Sequence, residues 1–259
     1  MTDIAYRPRS ASEIVDAAFQ LFRQHFKTLV MVTAIAYLPL LLLNAVLSNA
    51  LGIDEALAAG TLDSSFLLVS ALGMVWLGLV SAVVSVAASE AYLQRSPDPA
   101  AALRITLSRA GAVIACVVIV TLAVAIGLIC LIAPGLYLYA RYGMAPVVAV
   151  LEGGGVRAAL ARSSKLSDGR KGHILFTMFI IFLIFFGIAI ALGFVTLMLP
   201  HPLLVTAAGF VVTILSYPVV ALAQTILYYD LRIRAEGYDV QLMSDRLAAR
   251  PSSMAESIA

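Results

Sequence analysis

Apolar residues fall in five long runs, at 29–48, 66–89, 111–133, 174–198 and 203–228, separated by short polar segments. A helix needs roughly 20 such residues to cross the hydrocarbon core of a bilayer, so each run predicts a membrane-spanning helix. A sixth run, 135–151, is shorter and carries both Arg141 and Pro146. Three further stretches have an apolar stripe at helical period instead of being apolar throughout. In residues 10–27, Ile14, Ala18, Leu21, Phe22, Phe26 and Leu29 share one face, opposite Asp16, Arg23, Gln24 and Lys27. Ser10, with Glu13 three residues on, has the spacing of a capping box. The second stretch follows Pro97-Asp98-Pro99 and sets Leu103 and Leu107 against Arg104, Ser108 and Arg109. The third follows Gly153-Gly154-Gly155 and sets Val156, Leu160 and Ala161 against Arg157, Arg162 and Lys165. These patterns predict amphipathic helices lying on the membrane surface, basic residues toward the lipid headgroups.

Charge decides the doubtful run. Lys and Arg near span ends favour the cytoplasmic side. With six spans and a cytoplasmic N-terminus, residues 1–28, 90–110, 152–173 and 229–259 face inward and hold sixteen of the seventeen Lys and Arg residues. The seventeenth, Arg141, lies within the membrane. The outer loops hold none, and the first of them carries Asp54, Glu55 and Asp63. Without the sixth run, everything after it inverts and ten basic residues face outward. One central Arg costs only about 2.5–3.5 kcal/mol on insertion scales, so six spans are expected, with both termini cytoplasmic.

The fold class expected is therefore all-α and polytopic, with six spans and an amphipathic helix before each odd-numbered one. A membrane-embedded domain at residues 1–237 is followed by a polar cytoplasmic tail at 238–259. Within it, three hairpin units are discernible, at 10–96, 97–154 and 155–237. An acidic residue ends each inward span: Glu90, Glu152 and Asp230. The expected partners of these carboxylates are the neighbouring Arg95, Arg157 and Arg232. Pro39, Pro134, Pro146 and Pro218 mark kinks, and Pro200-His201-Pro202 a tight outer turn. Gly73, Gly78, Gly127, Gly187, Gly193 and Gly209 permit close helix approach.

Composition adds what the chain is not. It is 62% hydrophobic and only 12% charged, with mean hydropathy +0.99, against roughly half and a quarter in soluble domains. A soluble enzyme or a nucleic-acid-binding domain is excluded as a reading of the whole chain. The first 28 residues carry Arg7, Arg9, Glu13, Asp16, Arg23 and Lys27 and are too long and mixed for a signal peptide, so an uncleaved segment is expected. Cys116 and Cys130 lie about 21 Å apart on one helix and cannot bridge each other. His25, His173 and His201 are scattered. No HExxH, CxxC or GxSxG spacing occurs, so neither a metal, a cofactor nor a catalytic residue is expected. Gly153, Gly154 and Gly155 read as a hinge more readily than as a phosphate cradle, since no GK[ST] follows.

Arg141 is the deep charge. It lies about 10 Å along a helix from Pro134, flanked by Tyr137, Tyr139 and Tyr142. Two readings stand. It snorkels to the outer interface, or it faces inward with Tyr137 and Tyr142 as an intramembrane polar site for an anionic group. On the inner side, Arg23, Lys27, Arg104, Arg109, Arg157, Arg162, Lys165, Arg170 and Lys171 are the candidate contacts to headgroups or to a partner.

From Pro134 to His173 the order of short motifs is distinctive: Ala133-Pro134-Gly135, Arg141-Tyr142, Ala145-Pro146, Leu151-Glu152-Gly153, Ala158-Ala159-Leu160, Arg162-Ser163-Ser164 and Gly169-Arg170. With Arg9-Ser10-Ala11-Ser12-Glu13-Ile14 and Tyr228-Tyr229-Asp230-Leu231-Arg232, the chain resembles the bacterial glycerophosphodiester phosphodiesterase membrane-domain family. Gly172-His173 departs from it, since an aromatic is common there. The resemblance implies the membrane domain alone, because these residues contain no second polar domain and no H-R-G signature.

The function expected is a non-enzymatic module of the bacterial inner membrane. It organises the membrane or assists a partner, with membrane lipids, a protein or a second copy as partners and no nucleic acid. The alternative is a transporter or channel for a small or lipid-derived anionic solute. The charge count has a direct test. Reporters joined at Asp54 and in the C-terminal tail are expected on opposite sides, periplasmic and cytoplasmic; cysteine labelling that puts both on one side would sink the six-span topology.

Overall fold

A computed structural model describes residues 7–52, 60, 64–197 and 202–241. Asp54, Glu55, Asp63, the His201 turn and the tail beyond residue 241 lie outside the described residues. Those described form ten helices and no strand: α1 (Ala11–Gln24), α2 (Phe26–Ala50), α3 (Ser64–Tyr92), α4 (Pro99–Ser108), α5 (Ala110–Cys130), α6 (Ile132–Tyr142), α7 (Ala145–Leu151), α8 (Gly155–Leu166), α9 (Lys171–Leu197) and α10 (Pro202–Glu236). Segments of α2, α3, α5, α9 and α10 are long and apolar enough to cross a membrane. Their outward faces carry exposed large apolar side chains, among them Leu42, Leu67, Ile126, Phe182 and Phe194. The chain is an all-α polytopic membrane protein.

Local chemistry sets the helix starts. Glu13 N–H donates to Ser10 Oγ (3.3 Å) and Ser10 N–H donates to Glu13 Oε2 (2.8 Å), so α1 opens with the capping box its spacing predicts. Those bonds, first that from the Ser10 backbone and then the Arg7 guanidinium, hold the Glu13 carboxyl down at about 2. Asp98 caps α4 through the Ala100 N–H at 2.9 Å, with Pro99 in the first turn, where no donor is needed. Before α8, Gly153, Gly154 and Gly155 all have φ between +76° and +82°, a left-handed run that side chains disfavour.

The expected single span at 135–151 is instead two helices, α6 and α7, broken at Gly143 and Met144. Pro146 is the cause, since it has no N–H to offer Tyr142 and its ring crowds that carbonyl. The pair still returns along the whole of α5. A Cβ on Gly127 would lie 2.8 Å from Gly135 Cα near one end. At the other, the Arg109 guanidinium donates to the carbonyls of Val150 and Leu151.

The three short helices close the body into a ring. Each packs on the hairpin that precedes it: α4 on α2 and α3, α8 on α5, α6 and α7, and α1 on α9 and α10. Helices α3, α7 and α10 meet one another at the centre. There Val84, Ala88, Val148, Ala149, Leu222 and Ile226 are all fully buried. The apolar face of α1 joins this core through Ile14, Ala18 and Leu21, with Leu29 at the start of α2, so that face is covered by protein. Asp16, Arg23, Gln24 and Lys27 on its other face are exposed, as the pattern predicts. Tyr238, expected in the tail, belongs to the body: its ring lies 3.8 Å from the Arg232 guanidinium and stacks on Tyr229.

Of the glycines expected at close crossings, Gly78 and Gly127 serve so, whereas a Cβ on Gly73, Gly187, Gly193 or Gly209 would meet nothing within 4 Å. At Gly78 it would lie 2.5 Å from Val117 Cγ2, where α3 crosses α5. Gly78→Ala is therefore expected to destabilise the protein by about 1–3 kcal/mol. Gly73→Ala should leave the melting temperature in detergent unchanged. Adding Val117→Ala should recover most of the Gly78→Ala loss; a loss that Val117→Ala fails to relieve would contradict the crossing.

Candidate functional site

Taken in chain order, the acids near the C-terminal ends of α3, α7 and α10 each bond to a short helix or to the residues that lead into it. Glu90 Oε2 accepts from the Asp98 N–H (3.0 Å) at the cap of α4. Glu152 takes both oxygens to Arg162 Nε on α8 (3.0 and 2.9 Å). Asp230 Oδ1 accepts from the Arg9 N–H (2.7 Å), one residue before the cap of α1. The expected pairs with Arg95, Arg157 and Arg232 do not form. On a helix, residues two apart face different ways, and residues four apart face together. Asp230 accordingly pairs with Arg234 (2.7 Å), and Glu236 with Arg232 (3.5 Å).

Two networks grow from these acids. Asp230 is only 1% exposed and is also bonded to His173 Nε2 (3.1 Å), while Arg234 Nη2 donates to the Arg9 carbonyl (2.7 Å). Arg162 bridges Glu152 to Glu236, and Tyr228 Oη donates to Glu152 Oε1 (2.6 Å). The bond to Glu236 comes first among the causes that hold the Arg162 guanidinium above its ordinary value. Arg109 and Arg170 act alike from the ends of the short helices. Arg109 donates to the last carbonyls of α7, and Arg170 to the Arg234 carbonyl near the end of α10, where helix dipoles present partial negative charge. Every one of these charges is engaged in holding helix ends together.

Arg141 reaches both α8 and the preceding turn of its own helix. Its Nε donates to Ser164 Oγ on α8 (2.9 Å), its Nη1 to Tyr137 Oη (3.1 Å), and its guanidinium lies 5.4 Å from the centre of the Tyr142 ring. The Arg141 carbonyl accepts from Ser163 Oγ at 2.9 Å and from Ser167 Oγ at 3.4 Å. Lys171 lies 5.5 Å from the Tyr137 ring centre and pairs with the exposed Asp168.

The candidate residues thus divide. Arg141, Tyr137, Tyr142 and Lys171 come together around α6. Arg109, Arg162 and Arg170 are taken into the core networks. Arg23, Lys27, Arg104, Arg157 and Lys165 are exposed and have no ion pair among the described residues. Sequence reasoning missed Glu236, Tyr228 and Ser164; the first has a helical-spacing signal four residues from Arg232, but the others meet their partners only through the tertiary fold. Among the described residues no three metal-ligating side chains gather, and Cys116 and Cys130 are free.

Comparison with protein-family models, with curated proteins and with solved structures finds no match to this chain.

The Asp230 network has the larger expected effect on stability. Asp230→Ala strands Arg234 and the Arg9 amide, and removing one partner of a buried pair costs about 3–5 kcal/mol. Asp168→Ala removes an 84% exposed partner of Lys171 and should cost less than about 1 kcal/mol. Thermal unfolding in detergent that ranks the two variants equally would contradict the clamp.

Proposed function

We propose that the protein is a multi-pass module of the bacterial inner membrane, without catalysis or transport of its own, that organises or assists a partner through a basic cytoplasmic rim. In this reading α6 and α7 together make one crossing, so the chain has six, and both termini are cytoplasmic. The three hairpin units 10–96, 97–154 and 155–237 then place their short helices around the inner end. The resemblance of the short motifs to the glycerophosphodiester phosphodiesterase membrane-domain family supports the same architecture and assigns no activity.

The observation that carries the reading is the filled centre. A carrier needs a polar path near its axis, and where α3, α7 and α10 meet, the space is occupied by buried Val, Ala, Leu and Ile side chains. The carboxylates that a proton relay would use are committed to helix ends. By contrast, Arg23, Lys27, Arg104, Arg157 and Lys165 on the short helices are exposed without an ion pair among the described residues. Such a rim suits an acidic partner surface, and its field favours encounter at low salt.

The two readings part in one experiment on the full chain. In cells, site-directed cross-linking from the rim is expected to capture a partner or a second copy, and Arg104→Glu with Lys165→Glu should abolish capture at unchanged protein level. In proteoliposomes, uptake of glycerol 3-phosphate or inorganic phosphate should match empty liposomes. Saturable uptake, lost in Arg141→Ala, would replace this proposal with the transporter.

A further inference from the structure

We propose that the cleft beside Arg141 holds one anionic phospholipid, its phosphate on the guanidinium and an acyl chain along the apolar wall. The cleft has a volume of about 580 Å³, and Ile119, Val120 and Ala123 of α5 face Leu160 and Ala161 of α8 across it. Arg141 and Ser164 supply its polar end.

The argument starts from charge. Arg141 lies half-buried in an otherwise apolar segment, and a cation in such surroundings needs an anion or a wet cavity. Its protein contacts are all neutral: the Ser164 hydroxyl, the Tyr137 hydroxyl and the Tyr142 ring. Among the described residues no carboxylate lies within ion-pair distance of it, and Nη2 has no bond. Asp168 is bonded instead to Lys171, the second cation at the Tyr137 ring. Asp168 acts on Arg141 only through space, so an anion in direct contact with the guanidinium has to come from outside the chain. A phosphate diester carries one negative charge and two oxygens that match the guanidinium fork.

The walls select a lipid over a free anion. Five of the side chains that line the cleft are aliphatic, and Ile119 is itself 43% exposed, with Leu122 of the same helix 56% exposed. The cleft is thus continuous with the lipid-facing surface of α5, and a ligand reaches it from the bilayer. A lipid arrives from the bilayer with a chain to lay along those walls, whereas an inorganic phosphate would have to leave water and has nothing to place there. The site is separate from the exposed rim, and neither proposal depends on the other.

The test is lipid retention by the full chain, extracted in mild detergent with phosphatidylglycerol or phosphatidylcholine and weighed by native mass spectrometry. One phosphatidylglycerol per chain is expected to remain, and phosphatidylcholine is not. Arg141→Ala should weaken retention about tenfold, the loss of a charge-assisted bond. Ala161→Trp should do the same with the charge intact, by filling the cleft, while Arg157→Ala outside it should retain lipid like the parent. Equal retention of the two lipids, or undiminished retention by Arg141→Ala, would overturn the proposal. So would displacement by inorganic phosphate, which marks a free-anion site. Should both cleft variants fail to fold, the comparison of the two lipids and phosphate on the unaltered chain decides alone.

Discussion

The fold depends on a carboxylate near the C-terminal end of each of α3, α7 and α10. An ionised group at the edge of an apolar core is tolerated only when it is paired and hydrogen-bonded. Here the pairing partner is in each case the beginning, or the body, of the following short helix. A local electrostatic requirement thereby becomes a long-range tether. The Asp230–Arg9 bond joins the last span to the first helix across 221 residues and closes the ring. Arg109 and Arg170 then secure the C-terminal sides of α4 and α8 on carbonyls of α7 and α10, so these two short helices are held by neighbours on both sides.

The break between α6 and α7 shows how an apolar segment keeps its backbone satisfied. Proline ends α6 early and leaves carbonyls without intrahelical donors, which is costly in hydrocarbon. Ser163 and Ser167 of α8 donate to the Arg141 carbonyl, and Arg109 donates to those of Val150 and Leu151. The same break turns the Arg141 side chain to Ser164 on α8 and places it in a cleft open to lipid. One proline thus leads from chain geometry to a cation beside an apolar cleft.

α1 separates two things that an apolar stripe confounds. The stripe of Ile14, Ala18, Leu21 and Leu29 is legible because period and helix agree, and the capping box fixes where it begins. What the stripe faces is not encoded in its period. Lipid and protein cores are equally apolar, so only the Asp230–Arg9 tether decides that α1 lies on α9 and α10.

By itself the sequence determined the class and the elements: apolar length sets the crossings, capping residues and glycines set the helix limits, and charge asymmetry sets the expected sides. These are properties of residues within a few turns of one another, or of their transfer into lipid. The pairing of Glu152 with Arg162 and Tyr228, the ring order of the short helices and the direction of Arg141 belong to the tertiary structure alone. They depend on which helix ends arrive together in space. A carboxylate cannot announce, among seventeen cations, the one that the packing of α3, α7 and α10 will bring within 3 Å.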